Sequence, residues 1–207
     1  MKVPFAFYDF DDTLLKHDSM GFLFFYYVKK HPLSFFRGFW IGFLFLLYLL
    51  KIVSFQKVKE ALIFPLAKMS DEEIKQFYEE ELIGRYYPEV LASLKEHAAN
   101  GLHVWLVSAS PEPYLFYTDL PVEKVIGTSI LRKDGHWTNK MISKNCKGEE
   151  KVERIKQMLE EVQLEIDFEN SYGYSDSDSD WPMLLLVKNR YRINKKNGKI
   201  MPFVKGA

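Results

Sequence analysis

Apolar and polar positions alternate along most of this chain in two different periods. Residues 3–8, VPFAFY, form a short apolar run rich in β-formers and predict a buried strand. Residues 86–100 predict a helix: Pro88 suits its first turn, Val90, Leu91, Leu94 and Ala98 share a face, and Asn100-Gly101 stops it. A second buried strand, LHVWLVSAS, follows and ends in small polar residues. Residues 125–142 predict a hairpin turning at Asp134-Gly135. Glu149–Val162 predicts a helix with Val152, Ile155, Leu159 and Val162 on one face. FENSYGYSDSDSD predicts a third strand running into an acidic loop, and NRYRIN a late strand. Strands alternating with helices argue for an α/β fold with a parallel sheet.

One region breaks the alternation. From Thr13 to about Leu82 the pattern is helical throughout, so this stretch is expected to be an insertion. The expected division is a core of residues 1–15 and 83–207, with 16–82 inserted. The insertion has its own composition. Fourteen aromatics lie between Thr13 and Phe64, and residues 13–68 carry eight Lys/Arg against two acids. Residues 69–100 reverse the sign, with three Lys/Arg and eight acids. Residues 38–50 are thirteen uncharged residues bounded by Arg37 and Lys51. A spanning helix needs about 20 apolar residues. The pattern therefore favours a helical hairpin lying in one leaflet over a single span. Its basic flanks, Lys29, Lys30, Arg37, Lys51, Lys57 and Lys59, would meet anionic head groups. The rival expectation is a soluble insertion whose aromatic face packs onto the core.

The whole chain of 207 residues has zero net charge, which hides this asymmetry and argues against nucleic acid as a partner. A single cysteine, Cys146, permits no internal disulfide, fits a reducing compartment and is read as structural. The opening MKVPFAFYDF is too short in its apolar run, and too soon acidic, for a signal peptide.

Chemistry-bearing residues collect at the predicted strand ends. Strand one ends in Asp9-Phe10-Asp11-Asp12-Thr13, strand two in Ser108-Ala109-Ser110, strand three in Asp176, Asp178 and Asp180 separated by serines. Ligands of open parallel sheets bind beyond the carboxyl ends of the strands. If these ends are neighbours, Asp9, Asp11 and Asp176 converge and call for an imported hard cation with oxygen ligands, Mg²⁺. DSDSD is no EF-hand loop, because Trp181 and Val187 stand where that loop needs Gly and Glu.

DFDDTL, LVSAS, the lysine of CKGEEK and GYSDSDSD resemble, in order, the four motifs of haloacid dehalogenase-type phosphatases. The insertion resembles the C1 helical cap of the phosphoserine-phosphatase-like branch (subfamily IB). The chain as a whole is most similar to the bacterial group that includes phosphatidylglycerophosphatase C. The resemblance implies a Rossmann-like core and a phosphoric monoester hydrolase. By it, Asp9 is the nucleophile that becomes an aspartyl phosphate, and Asp11 is the general acid and then base. Mg²⁺ is assigned to Asp9, the Asp11 carbonyl and Asp176, with Asp180 in support. Ser108, Ala109 and Thr13 are assigned to the phosphoryl group. Two lysines compete for the remaining role, Lys147 in NCKGE and Lys151 in GEEKV. A cation in a helix's first turn opposes the macrodipole, so a site role would explain Lys151 there. Asp12 departs from the pattern, standing where many relatives have Gly, and is expected to face the loop.

The expected substrate is a membrane lipid phosphate, phosphatidylglycerophosphate giving phosphatidylglycerol, met at the cytoplasmic face of the inner membrane. The alternatives are a soluble cytoplasmic phosphatase for a small ester such as phosphoserine, and an inactive membrane-bound interaction protein.

Overall fold

A computed structural model describes residues 1–206. Strand β1 (Lys2–Val3) is separated from β2 (Phe5–Tyr8) by Pro4, which has no N–H to give a ladder. The expected first strand is thus split in two. From β2 the chain enters an all-helical stretch: α1 (Ser19–Lys30), a 3₁₀ turn at Pro32–Phe36, α2 (Arg37–Leu49), α3 (Phe55–Leu62), a 3₁₀ turn at Phe64–Ala67, α4 (Asp71–Phe77) and a π-turn at Tyr78–Leu82. Helix α5 (Pro88–Ala99) then leads to β3 (His103–Pro111), the short α6 (Glu112–Leu115) and β4 (Lys124–Thr128). Next come β5 (Ile130–Lys133), β6 (His136–Met141), α7 (Glu149–Val162), β7 (Glu165–Ile166), β8 (Tyr172–Ser175), α8 (Trp181–Leu184), β9 (Asn189–Ile193) and β10 (Ile200–Pro202).

The central sheet has the order β10-β9-β8-β2-β3-β4. It is parallel except for β10, which pairs antiparallel with β9 at the edge. The predicted hairpin at Asp134-Gly135 forms from β5 and β6 only. Both turn residues have positive φ, 50° and 80°, as a tight two-residue hairpin demands. The residues before it, assigned by the sequence to the same hairpin, are the parallel edge strand β4 instead.

All four residues of β2 are fully buried, because helices cover both faces of the sheet. Ala6 and Tyr8 face a cluster with Val90, Leu94, Val104 and Leu106. Phe5 and Phe7 face the opposite cluster with Trp105, Val107, Ile155, Met183 and Leu184. Gly173 in β8 lets α8 close in: a Cβ there would lie 2.8 Å from Leu184 Cδ2 and 3.1 Å from Val187 Cγ2. This close seat fixes the loop between β8 and α8, which carries Asp176 and Asp180.

Around α2 the surface is apolar. Phe36, Phe39, Trp40, Leu46, Leu49 and Leu50 are all more than half exposed, and Leu44 alone in α2 is buried. Pro32–Leu49, with a mean hydropathy of 1.5, is apolar and long enough to cross a membrane by length and composition alone. The α-helical part is only the thirteen residues of α2, about 20 Å at 1.5 Å per residue, against a hydrocarbon core of about 30 Å. Of the six expected basic flanks, Lys29, Lys30, Arg37, Lys51 and Lys57 are exposed. Lys59 departs from the expectation: it is 1% exposed and points into the protein.

Candidate active site

Strands β2, β3 and β8 lie side by side and parallel, so their carboxyl ends open on one edge of the sheet. A cavity of about 250 Å³ lies there, lined by Asp9, Asp11, Ser108, Ala109, Lys147, Lys151, Asp176 and Asp180 among others. The residues gathered from three distant motifs therefore share one space.

Asp9 leaves β2 with its N–H still donating to the Tyr174 carbonyl at 3.0 Å. Its Oδ1 accepts from Lys151 Nζ at 2.7 Å. The same ammonium donates to Asp180 Oδ2 at 2.7 Å, and Ser175 Oγ donates to that Asp180 oxygen at 2.8 Å. Lys151 is 1% exposed, and the two carboxylates hold its pKa above the usual lysine range. Lys147 is exposed, at the mouth. Of the two lysines that the motif left open, Lys151 touches Asp9 and Lys147 is exposed. Gly148, with φ +60°, starts α7 and turns Lys151 inward.

Burial raises the Asp9 carboxyl to about 8; Lys151 opposes this, while Asp180 and Asp176 add to it. Burial also raises Asp11 to about 7, with Asp18 contributing. Asp11 Oδ1 accepts from the Ser19 N–H at 2.7 Å, at the start of α1. Its Oδ2 accepts from Ser110 Oγ. The Ser19 hydroxyl in turn contacts Ser110 Oγ at 2.8 Å and Tyr114 OH at 2.7 Å. A carboxyl near pH 7 suits a group that must both give and take a proton.

Thr13, fully buried, stands between the strand ends. Its hydroxyl lies 3.4 Å from Asp9 Oδ2 and 3.2 Å from Asp176 Oδ1, and accepts from the Asp176 N–H at 3.0 Å. It braces two carboxylates. Ser108 is 1% exposed and its Oγ accepts from the Ser110 N–H at 3.0 Å. Ala109 reaches the site through its carbonyl, which accepts from Lys59 Nζ and Thr128 Oγ1.

The sequence reading of Asp9, Asp11 and Asp176 as lacking any counter-charge but an imported one is corrected. Lys195 Nζ lies 2.7 Å from Asp176 Oδ2 and 3.3 Å from Asp12 Oδ2. Asp12 itself has φ 55°, in the left-handed region that favours Gly and that Asp tolerates. Lys59 is the other residue the sequence misplaced. From α3 its Nζ donates to Ala109 O, Thr128 Oγ1 and Asn145 Oδ1, and burial lowers its pKa to about 8.

Among the described residues no three His, Cys, Asp or Glu side chains stand together as a metal cage. Mg²⁺ asks for less, because it keeps several waters and takes one or two carboxylates. Asp9 and Asp176, coupled through Thr13, supply those. Six aspartates against four lysines line the cavity, a formal excess of negative charge that would repel a phosphate dianion. The all-oxygen donor set and that excess both fit Mg²⁺. When bound, the ion would shield the Asp9 carboxylate from the charge of a phosphoryl group.

A model of haloacid dehalogenase-like hydrolases matches residues 6–185. The chain belongs to that family. Among its relatives is the histidinol-phosphatase of Neisseria meningitidis serogroup C (strain 8013), 27% identical over 91% of this chain and 89% of its own. A protein of unknown function from Bordetella pertussis Tohama I has a similar structure, with a TM-score of 0.75, 23% identity, and 92% and 89% of the two chains covered. A phospho-aspartyl intermediate analogue of phosphoserine phosphatase aligns with a TM-score of 0.59 at 16% identity, covering 92% and 86%. The expectation of a phosphatase on an α/β haloacid dehalogenase fold stands.

Proposed function

We propose that this phosphatase is Mg²⁺-dependent and hydrolyses a lipid phosphomonoester at the cytoplasmic membrane face, with phosphatidylglycerophosphate as the best candidate. The reaction we propose is the one the resemblance implies for these side chains. Asp9 Oδ attacks phosphorus as the bond to the alcohol oxygen breaks, and Asp11 gives that oxygen its proton. Asp11 then takes a proton from water, which attacks the aspartyl phosphate, breaks the phosphorus–Asp9 bond and releases phosphate. Lys151 and Asp180 hold Asp9 in place. Mg²⁺ would be held by Asp9, the Asp11 carbonyl and Asp176.

The observation that carries the substrate class is the exposed apolar surface of the helical insertion, which reads as a cap dipping into one leaflet. Phe36, Phe39, Trp40 and Leu50 face outward, with Arg37 and Lys51 at its margins. The rival substrate is a small soluble ester, supported by the histidinol-phosphatase relative. A panel of phosphatidylglycerophosphate in detergent, histidinol phosphate and phosphoserine, with and without Mg²⁺, tests both, with Asp9→Asn as control. Preference for the lipid upholds the proposal. Preference for a small ester installs the rival, and equal phosphate release by Asp9→Asn refutes the chemistry.

A further inference from the structure

A second cavity, about 480 Å³, lies between α1, α2 and α3 and is walled almost wholly by carbon. Three residues, Met20, Phe55 and Lys59, line both it and the cavity holding Asp9. The two are therefore neighbours across one shared wall, polar on one side and apolar on the other. Its size falls in the range of about 300–1,000 Å³ typical of small-molecule sites.

The sequence keeps this space open at a cost. Gly38 and Gly42 stand one turn apart in α2 and both line the cavity, and Gly21 lines it from α1. Glycine inside a helix is unfavourable relative to alanine. No left-handed backbone requires it at any of the three, because the positive-φ glycines are all elsewhere. No tight contact requires it either. A Cβ on Gly42 would meet nothing within 4 Å, and one on Gly38 only Phe24 Cζ at 3.5 Å. What the missing side chains leave is room. Along α2 from Gly38 to Phe45 that room runs roughly 10 Å.

We propose that this cavity receives an alkyl chain of the substrate whose phosphate is cleaved at Asp9, and that Gly42 and Gly38 set how much chain enters. This rests on the lipid-phosphate reading above and extends it to the residues that select the tail. The bordering Lys59 is engaged with Ala109 O, Thr128 and Asn145, so the wall between head and tail is held rigid from the core side.

The test uses n-alkyl phosphates from ethyl to dodecyl, below their aggregation concentrations, and compares the full chain with Gly42→Leu and the milder Gly42→Ala. In the native protein kcat/KM rises with chain length, by up to about fourfold per methylene that enters, and then levels off. Gly42→Leu levels off at a shorter chain and lowers the dodecyl-to-ethyl ratio at least tenfold; Gly42→Ala falls between. A native profile that rises while both variants keep the native ratio overturns the cavity assignment and leaves the lipid reading standing. A native profile flat in chain length, with ethyl phosphate still cleaved, overturns the lipid reading and this assignment with it.

Discussion

Removing the Lys151 ammonium separates a lysine of the chemistry from a lysine of the surface. Its Nζ lies 2.7 Å from both Asp9 Oδ1 and Asp180 Oδ2, and its side chain is 1% exposed. Lys151→Met keeps the stem's packing and deletes the charge. Two buried carboxylates are then left without their shared cation. Breaking a buried pair from one side costs about 3–5 kcal/mol. The same loss acts on Asp9, the proposed nucleophile: Lys151 opposes the burial that lifts Asp9 to about 8, so without it the carboxyl climbs further and its anion becomes scarcer at pH 7. If the attacking anion carries that interaction, kcat/KM falls by roughly 10²- to 10⁴-fold. Phosphate release from p-nitrophenyl phosphate, with urea denaturation alongside, measures both effects. Lys147→Ala, at the exposed mouth, stays within about threefold of native. Adding Asp180→Asn to Lys151→Met removes one uncompensated charge, so stability recovers while turnover does not. A Lys151→Met protein with near-native turnover, or a Lys147→Ala protein as inactive as Lys151→Met, would refute this reasoning.

Asp9 and Asp11, at about 8 and about 7, sit well above the ordinary carboxylate range of about 4 in an unfolded chain. Between those values the folded protein binds protons that the unfolded chain has released. Stability of the metal-free protein therefore falls as pH rises from about 4 to 8. Melting curves at pH 5 and pH 8 should show a lower Tm at pH 8, restored by Mg²⁺ and flattened by Asp9→Asn; a Tm independent of pH and Mg²⁺ would contradict it. Gly173→Val drives new carbon atoms into Leu184 and Val187 behind the Asp176 loop. Overpacking of this kind costs about 1–3 kcal/mol, and an unshifted urea midpoint would show that the seat is looser than described.

The strands were readable because parallel strands buried on both faces are continuous apolar runs, as in FAFY and HVWLV. The gathering of Asp9, Ser108 and Asp176 was readable for a related reason: once the strands are parallel, their polar ends share an edge. Strand β4 was misread because its sequence runs straight into the hairpin, and only pairing with β3 distinguishes the two. Strand β10 is three residues including a proline, at an edge where proline is tolerated. Lys59 had no local signal. It is two residues from Lys57, and positions two apart on a helix point different ways. One faces water and the other reaches Thr128 and Asn145, a long-range contact.

The lysines change what the three carboxylates ask for. Asp9 shares Lys151 with Asp180, and Asp176 shares Lys195 with Asp12. The chain thus supplies a cation to each carboxylate pair, not to each carboxylate. Asp9 remains raised with Lys151 in contact, because its burial outweighs that one cation, with Asp180 and Asp176 adding to the rise. Lys195 is half exposed and on a long flexible stem. It can leave Asp176 at little cost in water, whereas Lys151, enclosed by Asp9, Asp180 and the start of α7, cannot. If Mg²⁺ binds through Asp176 as proposed, Lys195 would have to give way while Lys151 stays, so Lys195→Ala should bind Mg²⁺ more tightly than the native protein. Titrating Mg²⁺ calorimetrically into both proteins decides it, and weaker binding by the variant would mean that Lys195 holds the loop in shape for the ion rather than standing in its place.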